Sequence, residues 1–431
     1  MRYYSTGGKA PLASLREVVV NGLAPDRGLY MPERIKPLPA AFFHDLPDMD
    51  LRDTAFAVAS HFFGEDVDPE ALERIVFGAL NFPIPAVEVT ESVFSLELFH
   101  GPTLAFKDVG ARFMARLLAY FNEGEDRTVN VLVATSGDTG SAVANGFLGV
   151  DGVRVFVLYP KGRVSPIQEC QFTTLGQNIT ALEVDGSFDD CQALVKSAFL
   201  DPDLTARMKL TSANSINVAR FLPQSFYYYH GVGRMQRMGR GENLVVCVPS
   251  GNFGNICAAL FAVRTGLPVK RMIAANNRND VFLQYLLTGI YSPRPSIRTL
   301  ANAMDVGDPS NFARILDLYK GDWHAIRSFV SGRSVHDGTI LTTIRDCRRE
   351  TGYLLDPHGA CGYRALVDSL REGENGLFVE TAHPAKFKET VEKATGAPVA
   401  IPDRLAAFME GEKQSVALPA DFKAFKEFLS E

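Results

Sequence analysis

The chain has 431 residues, a formal net charge of −6, and a composition of 46% hydrophobic and 22% charged residues. That length suits two or three globular domains, and the lack of any basic block excludes an extended nucleic-acid footprint while leaving room for a local anion site. Six cysteines without a CxxC pair and eight histidines without an HExxH motif exclude a zinc pattern and a disulfide scaffold, so buried, reduced thiols and no metal are expected.

The N-terminus, MRYYSTGGKA, has no apolar core of the signal-peptide kind. No run reaches the roughly 18 apolar residues a membrane span needs. A cytoplasmic protein without membrane contact is the expectation. Residues 1–80 read as a separate, mainly helical N-terminal unit, rich in proline and acidic groups around 25–50.

Beyond residue 80, short Val/Ile/Leu-rich runs alternate with helical periodicity. Strands are expected at Val129–Thr135, Val153–Tyr159, Ile179–Val184, Leu244–Val248, Val269–Ala275 and Leu377–Glu380. Each run leads through a turn into a helix; after the second, Ser165 fits an N-cap and Pro166 the first helical position. Continuous apolar strands alternating with helices predict open, mostly parallel twisted sheets with helices on both faces, and the number of strands fits more than one such sheet. Residues 290–310 read as a long loop. In such sheets, ligands collect beyond the carboxyl ends of the strands. The segments TSGDTG, PSGNFGN and ETAHPAKF all fall there.

VPSGNFGN (248–255) follows a strand and opens a helix. Small residues at Ser250, Gly251 and Gly254 let backbone N–H groups approach an anion, and the helix dipole adds to their pull. This pattern predicts a phosphate cup or, equally, a glycine turn that only packs a helix on a sheet. No GxxxxGK[ST] is present, and the Gly231/Gly233 pair lacks the third glycine and the preceding strand of a dinucleotide fingerprint. ATSGDTGSA (134–142) repeats the small-residue design, with donors suited to a carboxylate or to capping the helix.

FHGPTLAFKDVG (99–110) carries Lys107 after the apolar pair Ala105–Phe106. Val109, Phe113, Leu117 and Phe121 continue at helical spacing. Most lysines are solvated. One at the start of an inward-packed helix faces a cleft, where partial desolvation favours the neutral, nucleophilic amine that forms Schiff bases. A Schiff-base lysine together with a phosphate cup outside any nucleotide motif points to pyridoxal 5'-phosphate.

Taken together and in order, NGLAPDRGLYMPE (21–33), FHGPTLAFKD (99–108), TSGDTGSA (135–142), SANSINVAR (212–220), SGNFGN (250–255) and TAHPAKF (381–387) resemble the threonine synthases, fold-type-II pyridoxal-phosphate enzymes related to tryptophan synthase β chains and serine/threonine dehydratases. The resemblance runs nearly end to end. It implies an N-terminal domain of the threonine synthase type over 1–80 and a catalytic region over 81–431 made of two α/β subdomains, the smaller at roughly 100–200.

The resemblance also implies roles. Lys107 would bond to the cofactor and then act as the catalytic base. Gly251, Asn252, Phe253, Gly254 and Asn255 would hold the cofactor phosphate. Thr381 would face the pyridine nitrogen, with an N-cap before Pro384 as the competing reading. Asp138 would lie near the phenolic oxygen, where relatives often carry asparagine. Ser136, Gly137 and Thr139 would meet the substrate carboxylate. Asn217, Arg220 and Ser165 are candidates for the substrate phosphate, set against a polar helix face for the first two. The implied reaction converts O-phospho-L-homoserine and water into L-threonine and phosphate. A phospholyase or serine/threonine dehydratase on the same scaffold is the enzymatic alternative, and a catalytically silent metabolite-binding relative the other. Monomer and homodimer both stay open.

Overall fold

The computed structural model describes residues 1–430. The N-terminal segment opens with three short strands, β1 (Arg2–Ser5), β2 (Ala13–Ser14) and β3 (Tyr30–Pro32), in the antiparallel order β2-β1-β3. Helices supply most of the rest. Leu15–Asn21 starts at a reciprocal Ser14–Glu17 capping box, and Pro69–Ala79 starts at Asp68, whose carboxylate accepts two backbone N–H groups. The mainly helical expectation thus gains a small sheet. Its strands have two to four residues, too short to leave a period-2 pattern.

Eleven further strands make two sheets. β4 (Ala86–Thr90), β5 (Val93–Glu97), β10 (Leu244–Pro249), β11 (Arg271–Asn276), β12 (Val330–Ser334) and β13 (Asn375–Glu380) form the larger, ordered β12-β11-β10-β13-β5-β4, with only β4 antiparallel. β6 (Val129–Ala134), β7 (Val153–Pro160), β8 (Ile179–Asp185), β9 (Lys209–Ser212) and β14 (Val416–Pro419) form the smaller, ordered β14-β8-β7-β6-β9 and wholly parallel. This is the doubly covered, mostly parallel architecture that the alternating apolar runs predict. All six expected strands are present, displaced by at most two residues at either end. β12 (VSGRS) and β14 (VALP) escape sequence reading because both are edge strands with polar or exposed positions.

The helix Lys107–Asn122 buries Val109, Phe113 and Leu117 as its spacing predicts; Phe121 stays half-buried. Met114, Leu118, Gly110 and Ala111 are buried as well. The helix lies between the N-terminal helices and the helix Asp138–Phe147, so more than one face is covered. Gly231 and Gly233 sit inside the helix Ser225–Arg237, pressed on Leu96 and on the Leu46 carbonyl. They serve helix packing. All six cysteines are free thiols, five of them buried. Among the described residues no helix is long and apolar enough to cross a membrane, and no cluster of metal-ligating side chains occurs.

Candidate active site

Parallel pairing brings the motifs together. β10, β13 and β5 are adjacent and run the same way. Their carboxyl ends therefore release SGNFGN, TAHPAKF and FHGPTLAFKD side by side. In the smaller sheet β6 and β9 are also parallel neighbours, and their ends release TSGDTG and SANSINVAR. Residues hundreds of positions apart thus meet at the strand ends, where open α/β sheets bind ligands: Lys386 pairs with Asp138 at 2.7 Å, and Arg220 donates to the Lys107 carbonyl at 3.0 Å.

Lys107 is tied to Thr381 through the backbone. Phe106 N–H donates to the Thr381 carbonyl at 2.9 Å, Ala105 bridges Ala382, and His383 N–H donates to the Leu104 carbonyl at 3.1 Å. This short antiparallel stitch sets the start of the lysine helix against the end of β13. Lys107 is half-buried, and its Nζ makes no hydrogen bond or ion pair with any described residue. Burial pushes the Lys107 amine down to about 8; Asp138 opposes the shift, and Arg220 and Lys386 add to it. The Thr381 hydroxyl, buried at 6% exposure, likewise has no partner among the described residues.

The SGNFGN turn leaves its helix start open. Phe253 adopts the left-handed conformation at φ 63°, uncommon for a residue with a side chain, and precedes the helix Gly254–Arg264, which has no side-chain cap. The N–H groups of Gly254 and Asn255 have no partner among the described residues. A Cβ on Gly251 would stand 2.7 Å from the Ala303 carbonyl oxygen, and one on Gly254 2.8 Å from Ser215 Cβ. Asn255 Oδ1 accepts from the hydroxyls of Tyr227 (2.5 Å) and Tyr228 (2.6 Å), while Nδ2 is buried and unpartnered. An uncapped helix start beside an orphaned amide donor fits a phosphate. The Asn252 side chain is committed elsewhere: Nδ2 donates to Ser215 Oγ at 2.9 Å and Oδ1 accepts Ser310 N–H at 2.8 Å. The phenyl ring of Phe253 packs against Phe282. At these two positions only the backbone is left for a ligand.

In the smaller sheet, Thr135 Oγ1 accepts the N–H groups of Gly137 (2.9 Å) and Gly140 (2.8 Å), capping the helix Asp138–Phe147 from inside. Gly137 has φ 141°, and a Cβ there would run into Gln168. Ser136 and Thr139 are half-buried, with hydroxyls unbonded to any described residue. Asp138 differs from them. Its Oδ1 accepts Lys386 Nζ at 2.7 Å and Gln168 Nε2 at 2.9 Å. Burial alone would raise this carboxyl, but Lys386 and Lys107 hold it far below the usual carboxylate range.

Of the three phosphate candidates, Asn217 and Ser165 are spent on the fold, while Arg220 keeps Nη2 without a partner among the described residues. Asn217 is fully buried; Nδ2 donates to the Val19 (2.9 Å) and Ser212 (3.3 Å) carbonyls, and Oδ1 caps Ala219 N–H at 3.0 Å. Arg220, 2% exposed, donates from Nε to the Ala213 carbonyl at 2.6 Å and from Nη1 to the Lys107 carbonyl at 3.0 Å. It presses so closely on the lysine helix that a Cβ on Gly110 would collide with its backbone carbonyl. Ser165 caps the helix Pro166–Thr173 through Gln168. Arg220 braces the backbone of Lys107, Asn217 anchors the N-terminal helix, and Ser165 holds Gln168 near Asp138.

Sequence reading missed Lys386 and the Tyr227–Tyr228 pair as parts of this site. Lys386 stands inside a quoted motif, and its signal was a lysine between two apolar residues, Ala385 and Phe387. Glu380, which ends β13 directly before Thr381, was also missed. Oε1 accepts Asp356 N–H at 2.7 Å, Oε2 has no partner, and burial drives the carboxyl well up toward the neutral acid. A surface cavity of about 700 Å³ between the helices Pro69–Ala79 and Lys107–Asn122 contains none of the motif residues.

Two mostly parallel sheets whose strand ends carry an unpaired lysine and an uncapped, glycine-lined helix start define the architecture of a pyridoxal-phosphate enzyme of fold type II. Residues 84–381 match the family described as pyridoxal-phosphate dependent enzyme, residues 2–80 the threonine synthase N terminus, and residues 359–429 the threonine synthase C-terminal region. The chain is 44% identical to the threonine synthase of Serratia marcescens, over 100% of this chain and 99% of that one. The crystal structure of threonine synthase from Escherichia coli superposes with a TM-score of 0.94 at 43% identity, covering 100% of this chain and 99% of that one. The pyridoxal-phosphate-bound threonine synthase from Brucella melitensis superposes with a TM-score of 0.93 at 34% identity, covering 100% and 98%. The chain belongs to the threonine synthase family.

Proposed function

We propose that Lys107, the SGNFGN cup, Thr381 and the TSGDTG loop carry the threonine synthase reaction of this chain, from O-phospho-L-homoserine and water to L-threonine and phosphate. The observation that supports this most is that strand ends of one sheet carry both the unpaired amine of Lys107 and a helix start without a side-chain cap. When bound, pyridoxal 5'-phosphate supplies an aldehyde for an amine and a conjugated ring that accepts the electron pair left at a deprotonated carbon.

The residues divide the remaining work. The backbone N–H groups of Gly254 and Asn255, with Asn255 Nδ2, bind the cofactor phosphate. Tyr227 and Tyr228 fix the Asn255 amide so that Nδ2 points at the anion. Thr381 meets the ring nitrogen with a hydroxyl, which has no carboxylate charge to hold a proton there. Ser136, Thr139 and the free N–H groups at the start of the helix Asp138–Phe147 orient the substrate carboxylate. Lys107 Nζ would take the proton from substrate Cα, a task for which an unpaired, partly desolvated amine is suited. The same amine serves the later proton transfers at Cβ and Cγ, around loss of phosphate from Cγ and addition of water at Cβ.

Incubation with O-phospho-L-homoserine should release phosphate and L-threonine in equal amounts. Release of 2-oxobutanoate and ammonia in place of threonine would make the chain a phospholyase. The phenol pair has its own test. Tyr227→Phe combined with Tyr228→Phe should weaken cofactor binding about tenfold, since the freed amide loses its fixed orientation. Equilibrium dialysis of the cofactor measures this directly, and unchanged retention would remove the tyrosines from the account.

A further inference from the structure

Two ammonium-bearing side chains, Lys107 and Lys386, share the neighbourhood of one carboxylate, Asp138. The structure gives that carboxylate to Lys386. Their contact is 2.7 Å, with side chains 0% and 5% exposed. It is braced from several directions. Lys386 Nζ also donates to the Thr103 carbonyl at 2.8 Å, and that oxygen receives Gln171 Nε2 at 3.0 Å. Gln168 Nε2 adds the second bond to Asp138 Oδ1. Lys107 Nζ stays without a partner.

We infer that Lys386 is a positioning residue for Lys107: by occupying the Asp138 carboxylate it prevents an Asp138–Lys107 ion pair and leaves Lys107 an unpaired amine. This rests on the reading of Lys107 as the lysine that bonds to the cofactor. The physical reason is charge balance in a desolvated site. A carboxylate beside a buried lysine stabilises its ammonium form, which cannot attack an aldehyde. A second lysine, placed closer and anchored by carbonyl oxygens, neutralises the carboxylate first.

The other charges facing Lys107 act in the same direction or are held in check. Arg220, from the helix Val218–Phe221, adds positive charge. Asp108, on the lysine helix itself, is fully buried and bonded to the N–H (2.9 Å) and hydroxyl (2.7 Å) of Thr103. Burial moves Asp108 up, toward the neutral acid. Asp138 is thus the carboxylate that could claim Lys107. The amine at about 8 is consistent with one that has not been claimed.

The test is the pH dependence of cofactor capture by full-length apoprotein, followed by absorbance after mixing with pyridoxal 5'-phosphate. Wild-type capture should rise with pH through an inflection near 8. Lys386→Met should move the inflection up by about one unit, which is about tenfold slower capture at neutral pH. Adding Asp138→Asn to Lys386→Met should return the inflection to within about half a unit of wild type. Asp138→Asn alone should lower it, because Lys386 then acts unopposed, and this variant keeps the inference testable if Lys386→Met does not fold. An unchanged inflection in Lys386→Met, no return in the double variant, or no fall in Asp138→Asn overturns the inference. A role confined to joining the two sheets would change the melting temperature and leave every inflection in place. Borohydride trapping in each variant separates the two readings. A label on Lys107 with no shift sinks only the role of Lys386, whereas a label on another lysine sinks the assignment of Lys107 itself.

Discussion

Lys107→Ala is expected to lower kcat by a factor of about 10⁴ or more, since in the proposed function the same amine bonds the cofactor and moves protons at substrate carbons. The variant should fold normally. Lys107 Nζ makes no hydrogen bond or ion pair with any described residue, and the helix it starts is held by Val109, Phe113 and Leu117. Burying an ammonium without a counter-charge is a cost, so the alanine variant should melt no lower than wild type. Removal of a merely structural lysine would leave turnover intact. Hydride trapping followed by peptide mass analysis should place the added pyridoxyl group on Lys107 in the wild type. Wild-type turnover by Lys107→Ala, or a label elsewhere, would end the functional reading.

The largest expected loss of stability comes from a residue with no role in the chemistry. Arg314 is fully buried. Its Nε donates to the Tyr30 carbonyl (3.3 Å), Nη1 to the Ser215 carbonyl (3.0 Å) and Asn311 Oδ1 (2.5 Å), and Nη2 to the Ile216 carbonyl (2.5 Å). The guanidinium also lies 4.0 Å from the centre of the Phe221 ring. It therefore joins the N-terminal sheet, the SANSINVAR loop and the segment bracing Asn252. Arg314→Met should cost about 4 kcal/mol, because it strands several buried oxygens at once and methionine replaces only the packing. A shift in the urea midpoint measures the cost. Cofactor affinity should fall with it, since Asn311 and Ser215 both hold Asn252 in place. A loss below about 1 kcal/mol would mean that water or neighbouring side chains satisfy those oxygens.

The strongest sequence signals were those of composition and local pattern. Six apolar runs announced buried parallel strands because such strands are covered on both faces and tolerate little else. Ser165–Pro166 announced a helix start, and Ser165 caps it. Lys107 stood out because a lysine behind Ala105 and Phe106 has to face something other than bulk water. Edge strands were hidden for the opposite reason. β12 and β14 are strands because a neighbour pairs with them, and their own residues carry no apolar period.

Polar side chains were the hardest to read. Asn217 and Arg220 occur in NSINVAR with the chemistry of phosphate ligands, yet Asn217 Nδ2 and the Nε and Nη1 of Arg220 go to carbonyl groups at Val19, Ala213 and Lys107. Asp138 and Lys386 are separated by 248 positions, and nothing in either local pattern names the other. The linear chain was enough to settle a cofactor class and a family, because apolar periodicity, glycine-rich turns and motif order are properties of neighbouring residues. Which polar atoms stay free for a ligand and which are consumed by the fold was settled only when parallel strands set distant loops side by side. A hydrogen bond is decided by distance in space, and two ends of a sheet acquire that distance only on folding.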